Sequence, residues 1–198
     1  MKKFLLIPTL LVVIAVLLTA GGWLYMRMAM NGFSARAEPS KTERMMALYA
    51  RATAMPASAK GLKNPVHFSP EVQQEAMTHY ADHCAVCHAN NGSGQTMFGK
   101  GMYPKPPDLR LPRTQNMSDG ELFYILENGI RMSGMPAFGA EGTAEDSWKL
   151  VLFIRHLPKL SSMEEGRMES LNPHSPDELQ EEKEEQEFLN GGDALAKP

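Results

Sequence analysis

The sequence predicts an all-α domain, preceded by a membrane-spanning helix and followed by an acidic tail. Three observations carry this expectation. No stretch of the 198 residues repeats the polar–apolar alternation of a half-buried strand. Three segments instead place apolar residues at helical spacing, each opened by a Ser or Thr able to cap it. The charge is also split: residues 161–198 hold eleven acids against three bases, a net −8, which leaves +5 on residues 1–160. The overall −3 describes neither part. Basic residues are scattered and do not cluster with aromatics, so no nucleic-acid partner is expected.

Met1-Lys2-Lys3 is followed by an apolar run from Phe4 to Met26, broken only by Pro8, Thr9, Thr19 and Gly21-Gly22. A secretory signal has an apolar core of about 7–15 residues and then a small-residue cleavage site. This run is longer and close to the ~20 residues that span a bilayer. Leu18-Thr19-Ala20 is a poor cleavage tripeptide, and Trp23 and Tyr25 suit a membrane interface. Residues 1–26 are therefore expected to be a transmembrane anchor, with a cleaved signal peptide as the alternative. Residues 27–66 read as a linker. Within it Ser40 is placed to cap a helix through Arg51, with Met45, Leu48 and Tyr49 on a partial apolar face. A tether is the preferred reading of that segment.

The domain is expected over residues 67–160. Ser69-Pro70 is an N-cap followed by a first-turn proline, and Val72, Ala76 and Tyr80 place one apolar face on a helix from Glu71 to His83. A loop follows, punctuated by Gly92, Gly94, Gly99, Gly101, Pro104, Pro106 and Pro107, in which no regular element is expected. Ser118-Asp119-Gly120-Glu121 is a capping box; Leu122, Phe123, Ile125 and Leu126 supply the buried face behind it. Thr143 caps the last helix, with Trp148, Val151, Leu152 and Ile154 or Arg155 on its inner side. Residues 161–198 read as an acidic, disordered or marginally helical tail. A helix opening at Ser175-Pro176-Asp177-Glu178 and reaching Asn190-Gly191 would be polar on nearly every side and have no core to bury.

Between the first helix and the loop stands Cys84-Ala85-Val86-Cys87-His88, which contains the chain's only two cysteines. Cys-x-x-Cys-His is the attachment signature of c-type haem. Two thiols three positions apart can each form a thioether to a haem vinyl group, and the next residue puts its imidazole under the iron. Three other readings compete. A thioredoxin-like couple normally follows a strand, and none precedes this motif. Structural zinc wants four ligands, and there is no second cysteine pair. A plain disulfide would leave the adjoining histidine unexplained.

An iron held by His88 leaves its opposite position open. Met135 lies in a loop between two helices, bracketed by Gly134 and Pro136, which allow a close approach and hold a fixed direction. Met132 is the rival. His79 and His83 share the motif's own helix and cannot reach the opposite face; His67, His156 and His174 read as surface residues.

The order Cys84 to Gly94, Pro106-Pro107-Asp108-Leu109, Ser118 to Leu122, Gly129-Ile130-Arg131-Met132-Ser133-Gly134-Met135-Pro136-Ala137-Phe138 and Trp148 to Leu157 resembles a class I c-type cytochrome domain. The resemblance covers roughly residues 67–160. It implies a small helical fold wrapped around one covalent haem c, with Met135 as the distal ligand beside His88. It implies that Tyr80, on the first helix, packs near Phe153 on the last. Ala76 stands at a helix crossing where many relatives have glycine, and a proline of the 106–107 pair steadies the proximal imidazole. Attachment in that family takes place outside the cytoplasm, so the haem domain is expected on the periplasmic side of the cytoplasmic membrane. The function implied is one-electron transfer without catalysis, between redox proteins whose identity the sequence does not carry. A haem c subunit of a membrane oxidoreductase complex is the alternative, and a haem-based ligand sensor a third reading. Lys100, Lys105, Arg110, Arg113 and Arg131 fall in segments expected around the haem, where they could pair with propionates or steer an acidic partner.

Overall fold

Side-chain caps set where the helices begin. The computed structural model describes residues 2–29, 34–140, 142–174, 180, 183–186 and 189, and among them every regular element is helical. Contacts divide the chain into two units, residues 1–48 and 49–198. The helix expected to open at Ser175 and close at Asn190 has both of its ends outside the described residues.

In the first unit, α1 (Lys2–Ala29) contains a 22-residue stretch, Ile7–Met28, of mean hydropathy 2.2, long and apolar enough to cross a membrane. It fits a single-pass anchor. The Thr19 hydroxyl donates to the Ala15 carbonyl at 2.9 Å, so the polar group is satisfied within the helix. α2 (Lys41–Ala54) starts at Ser40, whose hydroxyl accepts from the Glu43 N–H at 3.2 Å. It runs across the boundary between the two units and buries none of its residues.

The second unit holds α3 (Ala57–Gly61), α4 (Pro70–His79), a π turn (Tyr80–Cys84), α5 (Ala85–His88), α6 (Met97–Gly101), α7 (Pro112–Gln115), α8 (Asp119–Asn128), α9 (Ala144–His156), a 3₁₀ turn (Leu157–Lys159) and α10 (Ser162–Glu169). The Ser69 hydroxyl caps α4 by accepting from the Val72 N–H at 3.2 Å. Reciprocal capping boxes open α8 (Ser118 with Glu121), α9 (Thr143 with Asp146) and α10 (Ser161 with Glu164).

The first helix is not one α-helix from 71 to 83 as the spacing predicts. Its buried residues form two rows, Ala76–Tyr80–Cys84 and Met77–Ala81–Ala85, each repeating every four residues. An α-helix turns about 400° in four residues, so both rows would drift about 40° per step off the core. The wider π turn brings that advance back toward a full circle and keeps both rows inward.

α4 crosses α9, with Ala76 buried to 2 % exposure and the Tyr80 ring 5.1 Å from that of Phe153. α8 packs on the same helix through Leu122 and Leu126, and Phe123 stacks on Trp148 at 4.0 Å with the rings nearly parallel. Because α9 is covered from more than one side, Leu150 and Phe153 are buried along with Trp148, Val151 and Ile154, while Leu152 is only half-buried. Arg155 turns outward to donate to the carbonyls of Gln115, at 2.7 Å, and Met117, and pairs with Asp119 at 2.8 Å.

Packing reaches past both expected ends of the 67–160 domain. Ala59 of α3 sits against Gly120 of α8 so closely that a Cβ on Gly120 would lie 1.9 Å from the Ala59 carbonyl oxygen. The Asn64 amide donates to the Trp148 carbonyl at 2.9 Å. On the other side, α10 inserts Met168, at 0 % exposure, into the core. The Asn172 amide, oriented to suit its neighbours, bonds the Ala81 carbonyl and the Asn90 side chain. A linker reading does not anticipate α3, nor a tail reading α10, because each short helix finds its apolar partner far away in sequence. The glycine- and proline-rich stretch, expected to be irregular, also holds short helical turns. Thr96 caps a single turn, α6, by accepting from the Gly99 N–H at 2.8 Å.

Glu164 ties α10 down. It accepts from Gln73 at 2.9 Å and from the Ser161 N–H at 2.8 Å, and pairs with His156 at 2.8 Å, so His156 is not a free surface residue. Burial pushes the carboxyl up, but the Ser161 N–H and hydroxyl and the His156 ring outweigh it and hold the carboxyl below its ordinary range. A depressed folded value means stability that is present above the ordinary glutamate value of ~4.3 and is lost as pH falls through the folded value. The denaturation midpoint should therefore fall on acidification below that range, with a shallower fall for Glu164→Gln. Equal slopes for the two chains would exclude this role.

Candidate functional site

The π turn delivers Cys84 to the core edge, and the single turn of α5 adds Cys87 and His88 immediately after it. Cys84 is 8 % exposed, and Cys87 and His88 are half-buried. The two thiols are free, with no disulfide between them. Burial, with a smaller push from Cys87, raises the Cys84 thiol to about 12. It is therefore neutral, unlike the depressed thiol of a dithiol redox couple.

The chain leaves this turn through Ala89, at φ 61° and ψ 156°, a positive-φ extended conformation that is used essentially by glycine. A non-glycine residue held there costs on the order of 1–3 kcal/mol. The Tyr80 hydroxyl donates to the Ala89 carbonyl at 3.1 Å and the Gly94 N–H to the His88 carbonyl at 2.8 Å, which hold the strained turn in place. The Thr96 hydroxyl donates to the Cys87 carbonyl at 3.4 Å, joining α6 to the same turn.

The His88 Nδ1 atom is buried without a hydrogen-bond partner of full geometry. Burial is the larger influence on the imidazole and holds it below its ordinary value; the Pro107 backbone pulls the other way. Pro107, of the 106–107 pair, is thus the proline that bears on the ring. A neutral imidazole keeps a lone pair for a metal.

Met135 sits in the loop after α8. The Ile130 N–H donates to the Met135 carbonyl at 3.1 Å, and the Ser133 hydroxyl accepts from the Met135 N–H at 3.2 Å. Gly129, at φ 64°, permits this closure, since a Cβ there would stand 2.7 Å from the Met135 carbonyl oxygen. Met135 is half-buried against the core cluster that also contains Cys84. Met132, three residues earlier, is 91 % exposed. The loop therefore turns one methionine in and the other out, which sequence spacing alone leaves open.

α6 packs on α5, and both carry exposed apolar side chains: Val86 on α5, Met97 and Phe98 on α6. Two free thiols and a half-buried neutral imidazole on one turn, with uncovered apolar side chains beside them, fit a flat apolar group bound through that turn. Among the described residues, no group of three or more His, Cys, Asp and Glu side chains is arranged to hold a metal ion. The ligands on offer are single residues on separate elements. A cavity of about 520 Å³ bordered by Gln74, Thr78, His79, His83, Asp146 and Lys149 contains none of them. Of the basic residues expected near the site, Arg110 is committed to a two-pronged pair with Asp108, at 2.9 and 2.8 Å.

Residues 71–154, from the first turn of α4 almost to the end of α9, match the family model described as "Cytochrome C oxidase, cbb3-type, subunit III". A comparison with curated proteins finds none that matches this chain. The matched stretch includes Cys84, Cys87, His88 and Met135. Residues 71–154 thus form a c-type cytochrome domain, of the kind that binds haem c covalently with its iron and serves haem-based electron transfer.

Proposed function

We propose that this chain is a one-electron carrier anchored by α1, with its haem domain on the outer face of the cytoplasmic membrane. Cys84 and Cys87 would hold the haem by two thioethers, and His88 and Met135 would supply ligands to its iron. The observation that carries the reading is the Cys84–His88 turn, with both thiols free and a half-buried imidazole, its ring against the Pro107 backbone, on one surface of the fold. When bound, the group supplies a reversible one-electron change at iron. The chain's residues set its conditions. The Ala89 turn, bonded to Tyr80, fixes the direction of His88. Met135, half-buried where Met132 is exposed, offers a neutral thioether, a ligand that raises the potential. An iron liganded by both His88 and Met135 would have no position left for a substrate, which suits a carrier. The outer-face assignment rests on the family's attachment of haem outside the cytoplasm.

The test is covalent retention. Haem should stay with the denatured wild-type chain after acid-acetone extraction and be fully released from the Cys84→Ala, Cys87→Ala double variant. Extraction of haem from the wild-type chain would refute the attachment.

The description of the matching family model favours a second reading, in which the chain is the haem subunit of a membrane oxidase complex. Purification in mild detergent separates the two. A subunit brings stoichiometric partners, and a carrier elutes without them.

A further inference from the structure

α2 has an apolar face that, among the described residues, is left largely open, with only Leu48 half-buried. Met45 and Met46 are 64 % exposed and Tyr49 is 74 % exposed, and none of the helix's 14 residues is buried. At 100° per residue, Leu48, Ala52, Met45, Tyr49 and Met46 fall in that angular order on an arc of about 160°, which Lys41 enters at the first turn and Thr42 and Thr53 enter beside Tyr49. Arg44 and Arg51 lie together just beyond the Leu48 edge of the arc on the same projection. The opposite side carries Ala47, Ala50, Ala54 and Glu43. Lys41, Arg44 and Arg51 against Glu43 leave the helix with a net charge of +2.

We propose that α2 lies in the lipid–water interface of the membrane that α1 spans, its methionine and tyrosine face among the acyl chains and its arginines among anionic headgroups. The proposal rests on the reading of α1 as an anchor. Three features select lipid over a protein partner. Residues 30–40 separate α1 from α2, and eleven residues reach at most about 40 Å, so an anchored α1 holds α2 at a high effective concentration of lipid surface. Arginines at the edge of an apolar arc can lay their stems along it and raise their charged ends to the phosphates. Tyr49, with an apolar ring and a polar tip, is a residue type favoured at that depth. The consequence is an orienting contact. A helix about 21 Å long held flat on the bilayer fixes where the following residues begin.

The experiment uses the full chain, with its haem, in nanodiscs of phosphatidylcholine and phosphatidylglycerol. Single cysteines replace Glu43, Met45, Ala47, Tyr49, Ala50 or Ala52 and carry nitroxides; a further variant, Val12→Cys, reports on α1. Collision with oxygen and with a water-soluble nickel chelate gives the depth of each label. Labels at 45, 49 and 52 should sit ~5–10 Å below the headgroup level, rich in oxygen collisions and poor in nickel, with 43, 47 and 50 in water. Equal nickel access at all six positions overturns the proposal. So does shielding of 45, 49 and 52 from both reagents, which would mean that protein covers the face. In either case a deeply immersed label at 12 shows that the anchor reading stands. A water-exposed label at 12 removes the anchor and the proposal together.

Discussion

Replacing Met135 by alanine is expected to leave the haem attached and to lower its midpoint potential by on the order of 0.1–0.3 V, within the ~0.8 V range that axial ligands span. The cause is loss of a neutral thioether, which favours the ferrous state relative to harder ligands such as the water that would replace it. The reduced variant should also bind carbon monoxide quickly, because one axial position is then open. Met132→Ala is the matched control. Its side chain is 91 % exposed, so its spectrum and potential should stay those of the wild type. A Met135→Ala protein with an unchanged spectrum and potential would remove Met135 from the site. Rapid carbon monoxide binding by the reduced wild-type chain would instead favour a ligand sensor over a carrier.

Met168→Ala is expected to cost about 2–5 kcal/mol of stability by the usual penalty for emptying a buried methionine position. Met168 is fully buried, in a helix of eight residues whose other side chains are mostly at the surface. Met163 on the same helix is 82 % exposed, and Met163→Ala should change stability by less than about 0.5 kcal/mol. Denaturant midpoints of the two variants measure the difference directly. Equal midpoints would mean that α10 is not part of the cooperative unit. Because α10 also joins Gln73 and His156 through Glu164, removing everything after Leu160 should cost more than Met168→Ala alone.

Features that depend on neighbouring residues were legible in the sequence. Ser69, Ser118 and Thr143 announce helix starts, because a cap and the N–H groups it satisfies lie within three residues of each other. The candidate attachment turn is legible for the same reason, since two thiols and an imidazole on one turn are a local arrangement. The apolar run of α1 is likewise a property of consecutive residues. The resemblance carried further, to the pairing of Tyr80 with Phe153, because it adds information about which distant segments meet.

What the tertiary structure alone decided are the matters of where the chain returns. Only there do Ala59 and Gly120 touch, Met168 fill the core beneath a segment read as tail, and Met135 turn inward while Met132 turns out. The π turn belongs with these, since a four-residue repeat calls for it only when both of its rows are covered. By itself the sequence determined an all-helical chain with an apolar N-terminal helix, a Cys-x-x-Cys-His turn and an acidic C-terminal stretch. Caps, periodicity and motifs act over one or two helical turns. Burial depends on contacts across dozens of residues, and those form only when the whole domain closes.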